Sequence, residues 1–193
     1  AASSMTIEDN RFSNVFLRNG QGAITIQKTT GLAIRGNVIH TVAQGSGMRL
    51  TSSSDISVER NAVERVGRTA IYLADTNNSL LLRNRIRDVF GVHGNGISVY
   101  LGSRATKVIA NTVTEAVRPV TIKGNGSNTP AADDILFANN LFVTTRSSLG
   151  AFISWGANGR KIRLYNNVIL GAEKGSIRLD TDDRDLTIQR NVV

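Results

Sequence analysis

The chain of 193 residues contains no cysteine, which excludes disulfide bonds and thiolate metal sites. It has only two prolines, and no run of about 18 apolar residues that could cross a membrane. Stretches rich in Ala, Leu, Glu and Lys, which favour helices, are also missing. Ile, Val, Leu and Thr dominate the apolar segments instead, and this composition favours β-strands.

Lysine and arginine outnumber aspartate and glutamate by 23 to 15, which gives a formal net charge of +8. Such an excess suits an anionic partner such as nucleic acid, anionic lipid or an acidic polysaccharide. A soluble basic surface without a specific partner explains the charge equally well. No helix-turn-helix, zinc module or aromatic RNA-binding signature is present, so nucleic acid is not expected as the partner.

Asparagine recurs along the whole chain at intervals of 23 to 29 residues. These anchors are Asn10, Asn37, Asn61, Asn84, Asn111, Asn140, Asn167 and Asn191. The residues three before and two after each anchor are apolar in all sixteen cases, from Ile7 and Phe12 to Ile188 and Val193. A fixed repeat of this kind is typical of a solenoid, in which stacked repeats bury a shared apolar row.

Each repeat also carries a second short strand in which apolar and polar residues alternate, the pattern of a half-buried strand. These strands read Ala23-Ile24-Thr25-Ile26, Gly47-Met48-Arg49-Leu50, Ala70-Ile71-Tyr72-Leu73, Gly96-Ile97-Ser98-Val99, Pro119-Val120-Thr121-Ile122, Phe152-Ile153-Ser154-Trp155 and Ser176-Ile177-Arg178-Leu179. The second strand argues against a leucine-rich repeat, and the absence of a hexapeptide rhythm argues against a left-handed β-helix.

The sequence therefore predicts an all-β fold, a right-handed, single-stranded parallel β-helix of about seven to eight rungs that forms one domain over residues 1–193. The anchors are expected at a sharp turn between two strands, where asparagine tolerates a left-handed backbone. Their stacked amides should form an asparagine ladder. We see no amphipathic cap helix at either end, so we expect a fragment of a longer protein, flanking domains or an oligomer that covers the ends.

The pattern Gly-Ile-x-Val/Leu, a loop, then Ile-x-Val-x-x-Asn-x-Ile resembles the parallel β-helix repeat of pectin-lyase-like proteins from Met5 to Val193. That superfamily includes polysaccharide lyases, glycoside hydrolases, mannuronan epimerases, phage tailspikes and adhesins. The resemblance implies an extracellular or periplasmic protein whose substrate lies along the sheet of second strands. It specifies the fold more than the activity.

The outward residues of these second strands predict a basic and aromatic face. One column reads Thr25, Arg49, Tyr72, Ser98, Thr121, Ser154 and Arg178, and the next contains Tyr100 and Lys123. The loops that enter the sheet add Arg68, His93 and Arg118. Cations pair with carboxylates and tyrosines lie against sugar rings, so Arg49, Arg68, Arg118, Lys123 and Arg178 are predicted to bind an acidic polysaccharide. The alternative is an ordinary solvated sheet.

His93 lies in a glycine-rich loop and titrates near neutrality, which suits a general base or acid. Uronate lyases and epimerases need a neutralised carboxylate, a base for the C5 proton and an acid. We therefore predict that His93, Tyr72 and Tyr100 are catalytic. The Asp-Pro-His motif of mannuronan epimerases is absent, because Val92 and Gly94 flank His93. His40 is interpreted as a surface residue without a role.

A hydrolase is disfavoured, because it needs two carboxylates at one cleft and the predicted face offers only Asp75 and the distant Asp180. No cofactor is expected. The acidic cluster Asp180, Asp182, Asp183 and Asp185 has ligands suited to calcium, although a solvated turn explains it as well. The leading hypothesis is a module that recognises a uronate-containing polysaccharide, with lyase or epimerase chemistry. The alternative is a non-catalytic binding or structural β-helix segment of a tailspike, adhesin or surface protein.

Overall fold

A computed structural model describes residues 4–18, 20–124, 132–146, 149–155, 159–171, 175–179 and 184–193. These residues form strands, turns and loops, and they include no helix that could cross a membrane. The strands are β1 (Met5–Glu8), β2 (Arg11–Phe16), β3 (Gly22–Gln27), β4 (Thr30–Arg35), β5 (Val38–Ala43), β6 (Ser46–Glu59), β7 (Ala62–Val66), β8 (Ile71–Leu82), β9 (Arg85–Val89), β10 (Asn95–Tyr100), β11 (Ser103–Ile109), β12 (Thr112–Ala116), β13 (Arg118–Lys123), β14 (Ala132–Ala138), β15 (Leu141–Val143), β16 (Phe152–Trp155), β17 (Arg160–Tyr165), β18 (Val168–Leu170), β19 (Ile177–Arg178) and β20 (Thr187–Gln189).

Every strand pairs in parallel with the equivalent strand of the next repeat, so the chain winds into a solenoid with three faces. Face 1 contains β3, β10, β13, β16, β19 and the first halves of β6 and β8. Face 2 contains β1, β4, β11, β14, β17, β20 and the second halves of β6 and β8. Face 3 contains β2, β5, β7, β9, β12, β15 and β18. The predicted parallel β-helix is confirmed, and its predicted seven to eight rungs are close to the seven strands of face 3.

The interior is a column of apolar side chains drawn from all three faces. In one repeat, Leu50 from face 1, Val58 from face 2 and Val63 from face 3 are each at most 1% exposed. The flanking positions predicted from the anchors are buried in the middle of the solenoid, whereas Ile188 and Val193 near its C-terminal end are 42% and 62% exposed. Burial therefore depends on having a repeat on both sides, as expected for stacked repeats.

The anchors form a continuous hydrogen-bonded ladder between faces 2 and 3. In each link, the backbone N–H and the side-chain amide of one asparagine both donate to the Oδ1 of the next. Between Asn84 and Asn111 both distances are 2.9 Å, and Asn84 Nδ2 also donates to the Val58 carbonyl at 2.8 Å. Inner anchors such as Asn61 are about 1% exposed, so these bonds satisfy buried amides that water cannot reach.

The backbone of this corner differs from the prediction in one respect. The left-handed residue is the one before each anchor, for example Arg83 with φ 55° and Ala110 with φ 55°, whereas the anchors themselves have ordinary φ. A left-handed φ costs a residue with a Cβ about 1–2 kcal/mol. The asparagines therefore stabilise the turn through their side-chain hydrogen bonds rather than by adopting the strained conformation.

A second polar corner, between faces 1 and 2, lacks a single repeated residue type and was not predicted. The bend in β6 places Ser53 inside, where its Oγ accepts from Thr29 N at 3.0 Å. Two repeats further, Ser103 Oγ accepts from Thr76 N at 3.2 Å and donates to the Tyr100 carbonyl at 2.8 Å. Buried hydroxyls thus satisfy the backbone at this corner, and they fix the end of the strand that carries Tyr100.

The predicted register is wrong at one repeat of face 1. The sequence pattern aligns Phe152 with Pro119, but β16 pairs so that Val120 lies opposite Phe152 and Thr121 opposite Ile153. A shift of one residue moves every side chain of a strand to the other face. Phe152 is therefore the inward residue, with its ring centroid 5.0 Å from that of Phe137, and Ser154 leaves the predicted outward column.

Candidate functional site

A cavity of about 250 Å³ lies on face 1, where four successive repeats meet the loops that enter them. Seven of the eight residues predicted for the site line it, namely Arg49, Arg68, Tyr72, His93, Tyr100, Arg118 and Lys123. Gly20, Thr69 and Asn95 complete the lining. No aspartate or glutamate contributes to the cavity among the residues that the structure describes, so its charged groups are basic.

The strand register determines which of these side chains are neighbours. Arg49 pairs with Tyr72 in one column of face 1, and Tyr100 pairs with Lys123 in the adjacent column. Paired residues of parallel strands lie about 4.8 Å apart, and residues two apart on a strand share a face. Two tyrosines and two cations are thereby brought together from positions as far apart in sequence as residues 49 and 123.

The loop before β10 presents His93 at the edge of this face. Gly94 N donates to the Gly91 carbonyl at 3.1 Å and closes a tight turn around the histidine. Gly91 has φ 87°, and a Cβ there would lie 2.4 Å from the Gly67 carbonyl oxygen. Glycine is therefore required at position 91 for both conformation and space, and this fixes where His93 stands.

The aromatic rings form the floor of the cavity. Tyr72 and Tyr100 meet edge to face, with ring centroids 5.3 Å apart and an interplanar angle of 74°. The guanidinium carbon of Arg49 lies 4.5 Å from the Tyr72 ring centroid, a cation–π arrangement. These contacts hold two phenol rings and a cation in a fixed arrangement that a sugar ring and a carboxylate could share.

His93 is held in its neutral form. Partial burial lowers its pKa from the usual 6.5, and the positive charges of Arg68, Arg118 and Lys123 lower it further. Its side chain is otherwise exposed at the rim of the cavity. A neutral imidazole at neutral pH can accept a proton, so the environment favours a general base.

Tyr100 is held in its protonated form. Burial raises its pKa above the usual 10.0, and the nearby Tyr72 acts in the same direction. Hydrogen bonds from Ser98 and Asn95 and the charge of Arg118 act in the opposite direction but do not cancel this effect. A protonated phenol beside a neutral imidazole gives the cavity both a proton donor and a proton acceptor.

Two functional candidates were missed by the sequence reasoning. Asn95 and Ser98 are 2% and 0% exposed, and Asn95 Nδ2 donates to Ser98 Oγ at 3.1 Å and to Tyr100 Oη at 3.3 Å. Alternation along β10 assigns Asn95 to the inward face of Ile97 and Val99, so the pattern gives no signal for its contact with Tyr100. Ser98 was placed correctly in the outward column but was given no role.

Arg178 does not line this cavity. It is exposed on β19, opposite Ile153 and three strands away from β10. Its predicted contribution to the same binding site therefore has no geometric support, and it serves below as a comparison residue.

The acidic residues considered in the sequence lie elsewhere. Asp75 lines a separate cavity of about 380 Å³ at the corner between faces 1 and 2, together with Ser53 and Arg104. Asp180, Asp182 and Asp183 lie outside the described residues, so the calcium hypothesis stays a prediction. Within the described ranges, no three His, Cys, Asp or Glu side chains are grouped closely enough to hold a metal ion.

A further cavity of about 410 Å³ adjoins the first at the loop corner. It is lined by Gln44, Gly67, Gly91 and Val92, and it shares Arg68 and His93 with the first cavity. Val92 is 85% exposed. His93 thus stands between two open spaces, and an extended ligand could pass it on both sides.

Known proteins share the β-helix fold of this chain. The chain has the fold of an alginate lyase from Paenibacillus sp. str. FPU-7, with a TM-score of 0.54 and 12% identity over 94% of this chain and 80% of that one. A double mutant of the periplasmic alginate epimerase AlgG has a TM-score of 0.48 and 15% identity, and the comparison covers 97% of this chain and 50% of that one. DFA-IIIase from Arthrobacter chlorophenolicus A6 has a TM-score of 0.41 and 14% identity, and the comparison covers 95% of this chain and 51% of that one. The chain therefore spans about half the length of the epimerase and of DFA-IIIase.

No curated protein sequence matches the chain. The family model described as "Right handed beta helix region" matches residues 1–142, which is most of the chain and includes the whole cavity on face 1. The chain therefore belongs to the family of right-handed β-helix region proteins.

Proposed function

We propose that this β-helix binds a uronate-containing polysaccharide in the cavity on face 1 and cleaves it as a lyase. The observation that carries the proposal is the joint placement of His93, Tyr100 and four basic side chains around one cavity to which no described residue contributes a carboxylate. The fold shared with an alginate lyase is consistent with this activity, but the substrate class is argued from the cavity alone. We also propose that the protein acts outside the cytoplasm, where such polysaccharides occur.

The basic residues would neutralise the substrate carboxylate. Arg49, Arg68, Arg118 and Lys123 line the cavity from three different repeats, and guanidinium groups bind carboxylates through paired N–H donors. Neutralising the carboxylate makes the C5 proton of a uronate more acidic, since the charge that develops on its removal is spread into the carboxyl group. The exposed faces of Tyr72 and Tyr100 would contact the sugar ring.

Proton transfer would then complete an elimination. Neutral His93 takes the C5 proton, the bond between C4 and the glycosidic oxygen breaks, and a double bond forms between C4 and C5. Protonated Tyr100 gives its proton to the departing oxygen, and solvent restores both groups afterwards. The pKa shifts of the two side chains leave each in the required state at neutral pH. The adjoining cavity leaves room for sugar units on either side of His93.

The test is to incubate the protein with alginate, pectate and glycosaminoglycans and to follow the ultraviolet absorbance of unsaturated uronate products. We expect His93→Asn and Tyr100→Phe to reduce turnover by roughly 100-fold or more. His40→Asn is the matched control, because His40 lies on β5 of face 3 and is the second of only two histidines.

Two outcomes would overturn the lyase. A flat trace on all three substrates, with polyuronate binding retained, would favour the non-catalytic binding module. If NMR shows that the C5 proton exchanges with solvent while the chain stays uncleaved, the result would instead indicate an epimerase that uses the same cavity.

A further inference from the structure

The hydroxyl of Tyr100 is hydrogen-bonded to Asn95, a buried residue of its own strand. Asn95 Nδ2 donates to Tyr100 Oη at 3.3 Å and to Ser98 Oγ at 3.1 Å. The Ser98 side chain favours the ionised form of Tyr100 and so acts to lower the pKa of the phenol. The amide of Asn95 therefore links the Ser98 hydroxyl to the Tyr100 phenol in a small network, and Asn95 and Ser98 are at most 2% exposed.

This network determines where the phenol proton can point. A tyrosine hydroxyl has one O–H donor and two acceptor lone pairs. The amide N–H of Asn95 donates to the phenol oxygen and occupies its acceptor side. The remaining O–H is thereby directed away from the strand, and the open space next to Tyr100 is the cavity that His93 also lines.

Asn95 is also tied to the loop that carries His93. Its backbone N–H donates to the His93 carbonyl at 2.7 Å, and the same carbonyl accepts from Thr69 Oγ1 at 3.3 Å. The Asn95 carbonyl accepts from Ala70 N at 2.9 Å on the neighbouring repeat. One residue thus connects the backbone of the proposed base to the side chain of the proposed acid.

The side-chain oxygen of Asn95 is buried without a hydrogen-bond partner. An unpaired buried acceptor lowers stability, and an apolar residue of similar volume would avoid this loss. The amide at this position is therefore better explained by the two bonds that it donates than by a contribution to folding.

We propose that Asn95 is a positioning residue for Tyr100, which directs the phenol O–H into the cavity and stabilises the phenolate that proton donation leaves behind. The proposal deepens the proposed function and rests on it for its catalytic meaning. Its physical content, the coupling between Asn95 and the ionisation of Tyr100, can be measured without any substrate.

The test is an alkaline titration of phenolate absorbance in the parent and in Asn95→Leu and Asn95→Val, two apolar variants that add no charge. Each protein is compared with the same protein carrying Tyr100→Phe, so that the difference isolates Tyr100 from Tyr72 and Tyr165. Both Asn95 variants remove the N–H donors to the phenolate, and we expect both to raise the pKa of Tyr100 above its parent value. Thr69→Val, which removes a different cavity hydroxyl, should leave the Tyr100 titration unchanged.

A purely structural role for Asn95 gives the opposite sign, because loosening the site admits water and moves the Tyr100 pKa down towards its usual value. A fall or no change in both folded variants would overturn the proposal. Where Asn95→Leu does not fold, Asn95→Val, which is uncharged and smaller than leucine, decides the question.

In a turnover assay, Asn95→Leu should lower kcat roughly tenfold or more and change KM by less than about threefold, because the contact acts on proton transfer. A larger change in KM than in kcat would overturn the positioning role. A raised Tyr100 pKa in a protein without any turnover would support the network and overturn the proposed lyase, so the two failures are distinguishable.

Discussion

The guanidinium carbon of Arg49 lies 4.5 Å from the ring centroid of Tyr72, its partner one repeat along face 1. In the proposed function Arg49 binds the substrate carboxylate and Tyr72 contacts the sugar ring, so we expect Arg49→Ala to weaken polyuronate binding by about tenfold or more. Arg178→Ala removes the same charge from the same face outside the cavity and should change the affinity much less. Isothermal titration with alginate oligosaccharides measures the affinity of both variants, and a second ionic strength shows how much of each loss is screened by salt. Equal losses of affinity in the two variants would contradict a local site.

The charges around His93 predict a specific response of its titration. Arg68 is the largest of the charged contributions that lower its pKa, after burial. Arg68→Gln should therefore move the His93 pKa up towards 6.5, and the acid limb of the pH–activity profile should move up with it. Histidine ring signals followed by NMR measure the change. Arg104→Gln is the control, because Arg104 lines the other cavity. A His93 pKa that does not change in Arg68→Gln would contradict the proposed effect of the Arg68 charge.

The asparagine ladder predicts a stability difference between inner and terminal anchors. Asn84 is 1% exposed and links two repeats, so Asn84→Ala leaves buried N–H and C=O groups unpaired and should cost about 1–3 kcal/mol. Asn10 is exposed, and Asn10→Ala should cost less than half as much. Urea unfolding of the two variants compares them directly. Similar losses would mean that the amides do not stabilise the stack.

The residue before each anchor has a left-handed backbone, and two alanines of one repeat test whether this conformation is strained. Ala110 is left-handed, and Ala116 is not. Ala110 has φ 55°, so Ala110→Gly relieves backbone strain and should leave the unfolding free energy unchanged or raise it by about 0.5 kcal/mol. Ala116 is fully buried at the end of β12, and Ala116→Gly should lower it by about 1 kcal/mol. Thermal unfolding provides the measurement. A destabilised Ala110→Gly would show that the turn is not strained.

Much of this site was predictable because a β-helix has a local rule. Side chains alternate along each strand and equivalent positions stack between repeats, so the spacing of the anchors was enough to place Arg49, Tyr72, Tyr100 and Lys123 on one face. The same rule fails where the strand alternation is interrupted. Phe152 follows a long insertion, and nothing in its local sequence determines the register of β16, so the prediction was wrong by one residue.

By itself, the sequence determined the repeat, the apolar columns and the anchors, because each of these depends only on the spacing of residue types along the chain. The tertiary structure decided which residues share the cavity and which do not. It placed Arg178 outside the cavity, three strands from β10, and it brought Asn95 against the Tyr100 hydroxyl despite its inward position in the alternation. It also lowers the pKa of His93 and raises that of Tyr100, because burial and nearby charge arise only when separate repeats stack.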